Sequence, residues 1–578
     1  LVSRVSEGPM KPSSKRPKRA SLSTADPLSV SKGRVHLDGD AELFTHNPLL
    51  FFDAFALAQA MNAPLSHALR GAMRQSLVAI DRKFRASPEA SRAFLKLLSR
   101  RGRGGQVLRL MHDVGFLARF VPEFGRVTLL IQHDHYHHYT VDEHTLKAVE
   151  ALDELHANQD KQRSQLRILF DEIDDPALLY LSVLLHDIGK GRGRGHIPRG
   201  VKIAERICKR LGLREQQARR VVLMVKHHVA MAQLAQRRDL NESHVVADFA
   251  AELGTLDALN VLLLLTYADL NAVAPGVWSD WKGTLLWELY RRTRALLTGS
   301  ESPPDESEKL AQFKEQVASY LEGPWPFSEV ERHIALLPDR YVRVTRAQAA
   351  AVHLQLIEEL RSDVLARRWV RHGNGSTELT ICARDRHALC ADLAGALAAQ
   401  GIEILSAELN TREDGIALDV FMLRDASTHH AIDAHRYPGL ERALRKAIAC
   451  ESDISALVER WRTKHAPRKQ RANIDVAGSN LLPLVICDNE ASQSSTLVEV
   501  RAIDEPGLAY RIASGLAALG LDIVCAKIAT EKSDALDVFY VTDRAGMKLS
   551  QSTLQTVKVS LTEKLLSNGN VAVDLKTS

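Results

Sequence analysis

The 578-residue sequence lacks the features that would place it in a membrane, in a disulfide framework or on nucleic acid. Its strongest apolar run, Val261–Leu265, is far shorter than the roughly 18 residues of a membrane span. The six cysteines lie far apart with no CxxC spacing, which argues against a disulfide framework and a zinc ribbon. The net charge of +5 is too weak an excess for nucleic acid or a membrane as main partner. These absences predict a cytoplasmic protein in a reducing compartment.

The first 32 residues are rich in Ser, Pro, Lys and Arg and have no hydrophobic period, so we interpret residues 1–32 as a basic disordered linker. The sequence begins with Leu1 rather than Met, and no charged-then-apolar signal segment follows. A linker at such a start suggests a truncated chain.

Apolar residues at three- and four-residue spacing then predict helices over most of the next 340 residues or so. A helical linker domain is expected at 33–131, beginning with a short hairpin over Val35–Asp40. A second helical domain is expected at 132–300, and a helical connector at 301–375.

At about Ser376 the period changes, and an internal repeat begins. The segment RDRHALCADLAGALAAQGIEIL at 384–405 aligns with IDEPGLAYRIASGLAALGLDIV at 503–524. Both copies predict the order βαββαβ of the ferredoxin-like fold, with the first copy at 376–489 and the second at 495–578. This small α+β unit resembles the ACT domain, a ligand-sensing module of amino-acid-regulated enzymes.

Histidines are concentrated in and just before the second helical domain, since 12 of the 23 fall between residues 112 and 244. Carboxylates also end or interrupt apolar helical runs there, at LLYLSVLLHD and VLLLLTYADL. A carboxylate in such a place is costly unless it is paired or binds a cation. The arrangement H…HD…D resembles the HD phosphohydrolase superfamily and implies a divalent metal, Mg²⁺ or Mn²⁺, that activates water for attack on phosphorus. The implied metal ligands are His144, His186, Asp187 and Asp269.

The loop after the metal pair, HDIGKGRGRGH, extends this site. Its glycines would let the backbone approach a phosphate, and Lys190, Arg192 and Arg194 would supply positive charge. We assign catalytic roles to Lys190 and Asp187; a solvated basic loop is the alternative. A second metal would be held by His196, His227 and His228.

The sequence motifs around these residues identify a family more specifically than the ligands do. HHYTVDEHTLKAVEAL, HDIGKGRGRGH and AQRRDL, with the two repeat copies, resemble the bifunctional uridylyltransferase/uridylyl-removing enzymes of bacterial nitrogen control. The resemblance implies a multidomain chain: an all-α HD-type metal-dependent phosphohydrolase domain followed by two α+β ferredoxin-like ACT domains. It also implies hydrolysis of UMP from uridylylated PII signal protein under control by glutamine.

The sequence departs from that family in two places. The Gly-Ser and Asp-x-Asp motifs of the transferase domain are absent, and Asp38–Asp40 reads as a turn, so this chain alone is not expected to transfer UMP. In the first repeat Ala388 replaces the glycine that the second copy has at Gly507. We therefore place the effector in the second copy, at Asp504, Glu505, Gly507 and Leu508.

Two other functions stay open. A guanosine tetraphosphate hydrolase also combines HD and ACT domains, but it has an acidic stretch after the HD pair where this chain has KGRGRG. A non-catalytic glutamine-sensing module would not need the full ligand set. Metal binding separates the second alternative from both enzymes, and the choice of substrate separates the two enzymes.

Overall fold

In a computed structural model the chain divides into two compact units, one of residues 1–228 and 260–275 and one of residues 229–259 and 276–578. The structure describes residues 27–566 except 132–138, 158–162, 192–194, 241, 274–277, 279, 300–305, 339–340, 343–344, 374, 466–482, 504, 506 and 532–533. Nearly all of the expected linker at 1–32 lies outside the described residues.

The first unit opens with a β-hairpin, β1 (Leu28–Ser31) and β2 (Arg34–Leu37). Its turn is formed by Lys32 and Gly33, both with positive φ, rather than by the expected Asp38–Asp40. Asp40 instead accepts a hydrogen bond from the backbone N–H of Glu42 at the start of the first helix. Eight helices follow: α1 (Glu42–His46), α2 (Leu50–Met61), α3 (His67–Gln75), α4 (Arg82–Arg85), α5 (Pro88–Leu98), α6 (Gly104–Asp113), α7 (Phe116–Phe120) and α8 (Pro122–Gly125).

A cluster of phenylalanine rings forms the core of these eight helices. Phe52 on α2 contacts Phe116 and Phe120 of α7 edge to face, with ring centroids 5.2 and 5.4 Å apart. Phe94 of α5 also packs on Phe120, with ring centroids 5.1 Å apart. Edge-to-face pairs stabilise a core beyond the area they bury, so this cluster fixes how the helices pack.

The rest of the first unit is helical and carries the predicted metal ligands. Asp153, on the first of these helices, accepts hydrogen bonds from the N–H groups of Gly104 and Gln106, which satisfies donors at the start of α6. The helices are α9 (Val141–Ala157), α10 (Ser164–Glu172), α11 (Pro176–Leu185), α12 (His196–Arg210), α13 (Glu215–His227) and residues 260–273 of α16 (Leu256–Val273).

Among the described residues, α16 is the one helix long and apolar enough to span a membrane by length and composition. More than half of its apolar window is buried, and it carries Asp269. Both observations are typical of a core helix.

The second unit combines helices with one large sheet. Its helices before the sheet are α14 (Ala230–Arg237), α15 (Ser243–Leu253), α17 (Asp280–Leu297), α18 (Glu306–Tyr320), α19 (Phe327–Ala335) and α20 (Ala347–Leu360). The eight strands are β3 (Ala366–Arg371), β4 (Thr377–Arg384), β5 (Ile402–Thr411), β6 (Ile416–Asp425), β7 (Leu484–Asp488), β8 (Thr496–Ile503), β9 (Asp522–Glu531) and β10 (Asp534–Thr542). The helices among and after them are α21 (Leu389–Ala398), α22 (Tyr437–Ile448), α23 (Ile454–His465), α24 (Leu508–Ala518) and α25 (Gln551–Leu566).

The strand order β3-β4-β6-β5-β9-β10-β8-β7 places the two repeat copies side by side. They join through β5 and β9, where Ala407 pairs with Ala526 in antiparallel register. Alternation along β6 sends Phe421 into the core under helices α21 and α24, whereas Leu418 packs toward α18 to α20 on the opposite face. Both faces of the first copy are therefore covered.

The outer strands differ from the expectation. Residues 484–488, expected to close the first copy at 376–489, pair instead with β8 of the second copy. The first copy takes its outer strand from β3, which lies in the stretch expected to be a helical connector, 301–375. Its sequence ARRWVR carries the charged side chains of an edge strand, where one side of the backbone needs no partner strand. The final strand expected near residues 571–575 lies outside the described residues.

Candidate metal centre

The centre begins at the end of α11, a helix with every residue buried. Pro176 stands at its first turn, where a missing N–H costs nothing. Two polar residues follow this apolar run and lie in the interior: His186 is 2% exposed and Asp187 is 3% exposed. Buried polar side chains of this kind need partners, and other helices supply them.

A first group of donors joins three helical segments. His144 of α9 and Asp269 of α16 lie 3.0 Å apart, from Nε2 to Oδ1. The Nε2 atom of His186 lies 3.3 Å from that of His144 and 3.6 Å from the same Asp269 oxygen. Ligand atoms from all three residues lie within 4.8 Å of one another. Two imidazole nitrogens and a carboxylate oxygen therefore converge on one point.

A second group adjoins the first. It consists of Asp187, of His196 at the first position of α12, and of His228 directly after α13. Oδ1 of Asp187 lies 3.7 Å from Nε2 of His228, whereas Oδ2 lies 3.2 Å from Nε2 of His186. The two oxygens of one carboxylate thus face the two donor groups, so Asp187 would contribute to both if each group held a cation.

Backbone carbonyls orient two of the histidines. Nδ1 of His186 lies 2.7 Å from the carbonyl oxygen of Val183, and Nδ1 of His228 lies 2.8 Å from that of Val225. A carbonyl only accepts, so Nδ1 donates in each case and the ring turns Nε2 toward the other side chains of the centre. Metal-binding histidines are commonly oriented by such a bond.

The electrostatics favour a cation at this point. Burial raises the pKa of the Asp187 carboxyl, but attraction to His186 and Lys190 outweighs it and holds that pKa well below the usual range. Burial likewise opposes ionisation of Asp269, and hydrogen bonds with His144 and His186 bring its pKa well below the usual range. Burial lowers the pKa of His186, but the two carboxylates outweigh it and raise it to about 10. The carboxylates that stabilise a proton on His186 would stabilise a divalent cation in its place, and carboxylates with imidazole nitrogens are a donor set that fits a divalent transition metal or Mg²⁺.

Lys190 closes one side of the centre. Its Nζ lies 2.6 Å from Oδ2 of Asp187, and its side chain is 9% exposed. The neighbouring glycine has a packing role: a Cβ on Gly189 would overlap the carbonyl oxygen of His196 and lie 2.6 Å from the N atom of Gly200. Only glycine permits this approach of the loop to α12. Arg192 and Arg194 lie outside the described residues.

The remaining predicted ligand, His227, is buried at the end of α13 but belongs to neither donor group among the described residues. It is adjacent to His228, whose Nε2 atom lies 3.7 Å from Oδ1 of Asp187.

The contacts that join α9 to α6 are not predicted from the sequence. Nε2 of His112 lies 3.5 Å from Oδ2 of buried Asp142, two residues before His144. Arg109 forms ion pairs with Glu143 and Glu150 at 2.5 and 2.7 Å. These contacts join residues some 30 to 40 positions apart, so no local pattern predicts them.

The predicted effector loop has partners within the chain. The Glu505 carboxylate pairs with Arg462, at 3.2 Å, and with Arg511. Gly507 has a φ of +82°, and a Cβ there would lie 2.6 Å from Cγ1 of Val458 on α23. Leu508 is buried, and Asp504 lies outside the described residues. Ala388, at the equivalent position of the first copy, adopts the same left-handed region with φ +63° despite its side chain.

Comparisons with known proteins cover both units. A family model described as the uridylyltransferase GlnD third domain matches residues 31–120, and the HD domain model matches residues 141–269. A bifunctional uridylyltransferase/uridylyl-removing enzyme from Azospirillum brasilense is 35% identical over 533 residues, which is 91% of this chain. The chain spans 56% of the length of that relative.

Proposed function

We propose a hydrolytic function for this chain. The chain belongs to the family of bifunctional uridylyltransferase/uridylyl-removing enzymes over the part that it shares with those enzymes. In this proposal the centre at His144, His186, Asp187 and Asp269 cleaves the phosphodiester that links UMP to a uridylylated PII protein. The position of Asp187 carries the proposal, because its two oxygens face two donor groups at once. Paired cation sites of this kind suit displacement at phosphorus.

The donors set what each site supplies. A divalent cation such as Mg²⁺ or Mn²⁺ held there would lower the pKa of water and offset charge on phosphoryl oxygens. His144, His186 and Asp269 would hold one cation, and His196 and His228 would hold the other, with Asp187 between them. The carbonyls of Val183 and Val225 keep two of the imidazoles in the orientation that this needs.

We assign Lys190 the role of contacting the substrate. Its ammonium lies at the edge of the donor groups, against Asp187. A phosphoryl oxygen seated beside that carboxylate would meet the positive charge, and the charge would stabilise the negative charge that builds up during displacement.

The partner and the effector are part of the same proposal. We assign uridylylated PII as the substrate protein, glutamine as the effector acting on the two repeat copies, and the cytoplasm as the compartment. The loop at Glu505 and Gly507 stays our proposed effector site, although Glu505 is paired with Arg462 and Arg511, which an effector would have to displace.

The test is release of UMP from uridylylated PII by the full chain with Mn²⁺ or Mg²⁺. His186→Ala removes a donor of the first group and should abolish release. His156→Ala is the matched control, since His156 is an exposed histidine on α9 that pairs with Asp171. Guanosine tetraphosphate, offered separately, should not be hydrolysed. UMP release by His186→Ala at the rate of the control would overturn the assignment of this centre.

A further inference from the structure

A cavity of about 190 Å³ lies in the second unit, on the face of the sheet opposite helices α21 and α24. It is lined by residues of α19 and α20, by the end of β4 and by the turn between β5 and β6. Four arginines contribute to its lining: Arg332, Arg361, Arg384 and Arg412. None of the predicted site residues takes part in it.

The floor of the cavity is a buried arginine whose charge is paired with an aspartate. Arg412 is 6% exposed, and its Nε and Nη2 atoms donate to the two oxygens of Asp414, at 3.0 and 2.8 Å. Its Nη1 atom lies 3.2 Å from Nδ1 of His333. A guanidinium only donates, so Nδ1 of His333 accepts and its proton is on Nε2.

That tautomer sets the direction of a longer chain of hydrogen bonds. Nε2 of His333 donates to the hydroxyl of Tyr341 at 3.2 Å, and the hydroxyl donates to Nδ1 of His353 at 2.7 Å. All three side chains are buried. The network holds Arg412 at the floor without adding a second charge.

The rim carries arginines that make few hydrogen bonds or ion pairs with the residues that the structure describes. Arg332 is exposed, and its side chain makes no hydrogen bond or ion pair with any residue that the structure describes. Arg384 has one long hydrogen bond, 3.4 Å to the carbonyl oxygen of Asp414. Arg361 pairs with Glu358, and Glu329 is the remaining acidic group of the lining. Arginine therefore exceeds carboxylate in a concave site, which attracts an anion.

Other residues of the lining form an apolar wall. Trp325, Leu354, Ile357 and Ile416 face the same space. A carbon skeleton can lie against this wall while an anionic group reaches the guanidinium groups, since arginine forks match carboxylate and phosphate oxygens. A single inorganic ion would leave the apolar wall without a partner.

We propose that this cavity binds a small organic anion through its carboxylate or phosphate oxygens, held by Arg332 and Arg384 beside the Arg412–Asp414 pair. The turn that carries Arg412 is joined to the end of α19, where the N–H of Glu413 donates to the carbonyl of Leu336 at 2.9 Å. An anion bridging Arg332 and Arg384 would therefore tie α19 more firmly to the first repeat copy. This site is separate from the hydrolytic centre and does not depend on the function proposed for it.

The test uses the full chain and two probes, succinate and inorganic phosphate, titrated at constant ionic strength. Tryptophan fluorescence and the melting temperature are recorded together. We expect a saturable fluorescence change that Trp325→Phe removes while the rise in melting temperature persists. Binding of succinate alone would identify a carboxylate site, and binding of phosphate alone a phosphate site.

Charge variants locate the binding. Arg332→Gln should weaken binding about 10-fold or more, which corresponds to about 1.4 kcal/mol. Arg384→Gln should act in the same direction. Arg442→Gln is the matched control, because Arg442 is exposed on α22 and does not line the cavity. No saturation with either probe, or equal affinities for Arg332→Gln and Arg442→Gln, would overturn the proposal.

Discussion

Two sets of buried histidines in this chain have opposite chemistry. In the first unit, Nε2 atoms of His144 and His186 converge with carboxylates on a common point. In the second unit, His333 and His353 are joined head to tail through Tyr341, so each of these contacts is a donor–acceptor pair. Burial alone therefore does not mark a histidine as a candidate ligand; the groups that its second nitrogen faces do.

The pKa values follow the same division. Burial lowers the pKa of His186, but Asp187 and Asp269 outweigh it and raise the value to about 10. Burial lowers the pKa of His333 to about 3, helped by His353 and Arg412, and burial lowers that of His353 to about 4. The first set attracts a positive charge, whereas the second set stays neutral.

The largest effect that the comparison predicts is on the convergent set. Asp269→Asn keeps the shape of the side chain but removes its charge, so UMP release from uridylylated PII should fall by at least about 100-fold. Asp171→Asn, an exposed aspartate on α10, should leave the rate unchanged. Rates are measured at saturating Mn²⁺. Equal rates for the two variants would mean that convergence at Asp269 has no role in the reaction.

Lys190→Met should separate charge stabilisation from metal binding. The variant removes the ammonium beside Asp187 and keeps every donor of the two groups. We expect kcat to fall about 100-fold, as for other single donors to a developing oxyanion, while bound Mn²⁺ per chain is unchanged. Lys202→Met, which alters an exposed lysine of α12, serves as the control. A loss of metal with the loss of rate would make Lys190 part of the metal site instead.

Tyr341→Phe tests the neutral set. The change leaves the facing nitrogens of His333 and His353 without their shared partner inside the core, at a cost of about 2–3 kcal/mol in stability. Hydrogen exchange of the α20 amides should report this loss, whereas Mn²⁺ binding should be unaffected. The exposed Tyr320 supplies the control Tyr320→Phe. Unchanged protection in Tyr341→Phe would show that the network does not stabilise this unit.

The last predicted effect is on the pH dependence of stability. His333 and His353 have pKa values below those of the unfolded chain, so their stabilising effect is complete above about pH 6.5 and is lost as the pH falls toward 4 and then 3. Each should cost about 1.4 kcal/mol per pH unit in that interval. His353→Gln keeps an acceptor for Tyr341 without titrating, so its stability should fall less steeply with acid than that of the unmodified chain. Equal slopes between pH 6 and 5 would contradict the neutral assignment of His353.

The sequence predicts the convergent set better than the neutral one for a physical reason. Asp187 and Asp269 interrupt apolar helices, and a carboxylate in such a place is visible without any structure. His333 and His353 sit singly in ordinary amphipathic helices, and only the folded chain brings them to Tyr341 and Arg412. The same limit applies to His112 and Asp142, which meet across two helices.

The fold shows a parallel limit. The family-model match at residues 141–269 and the helical and sheet-containing regions confirm the expected fold class, since hydrophobic period and the repeat both have local signatures. Strand pairing at the sheet edges has no such local signature. The segment Leu484–Asp488 follows the first copy in sequence but pairs with the second. The charged sequence of β3 favours a helix, and only its pairing with β4 shows that it is a strand.

The central claim, that two donor groups bridged by Asp187 bind divalent cations, is tested most directly by calorimetric titration of the full chain with Mn²⁺. We predict two Mn²⁺ per chain, a large loss of affinity in Asp187→Asn, and unchanged binding in His353→Gln, which alters the neutral set. Binding by Asp187→Asn with the stoichiometry and affinity of the unmodified chain would contradict the account.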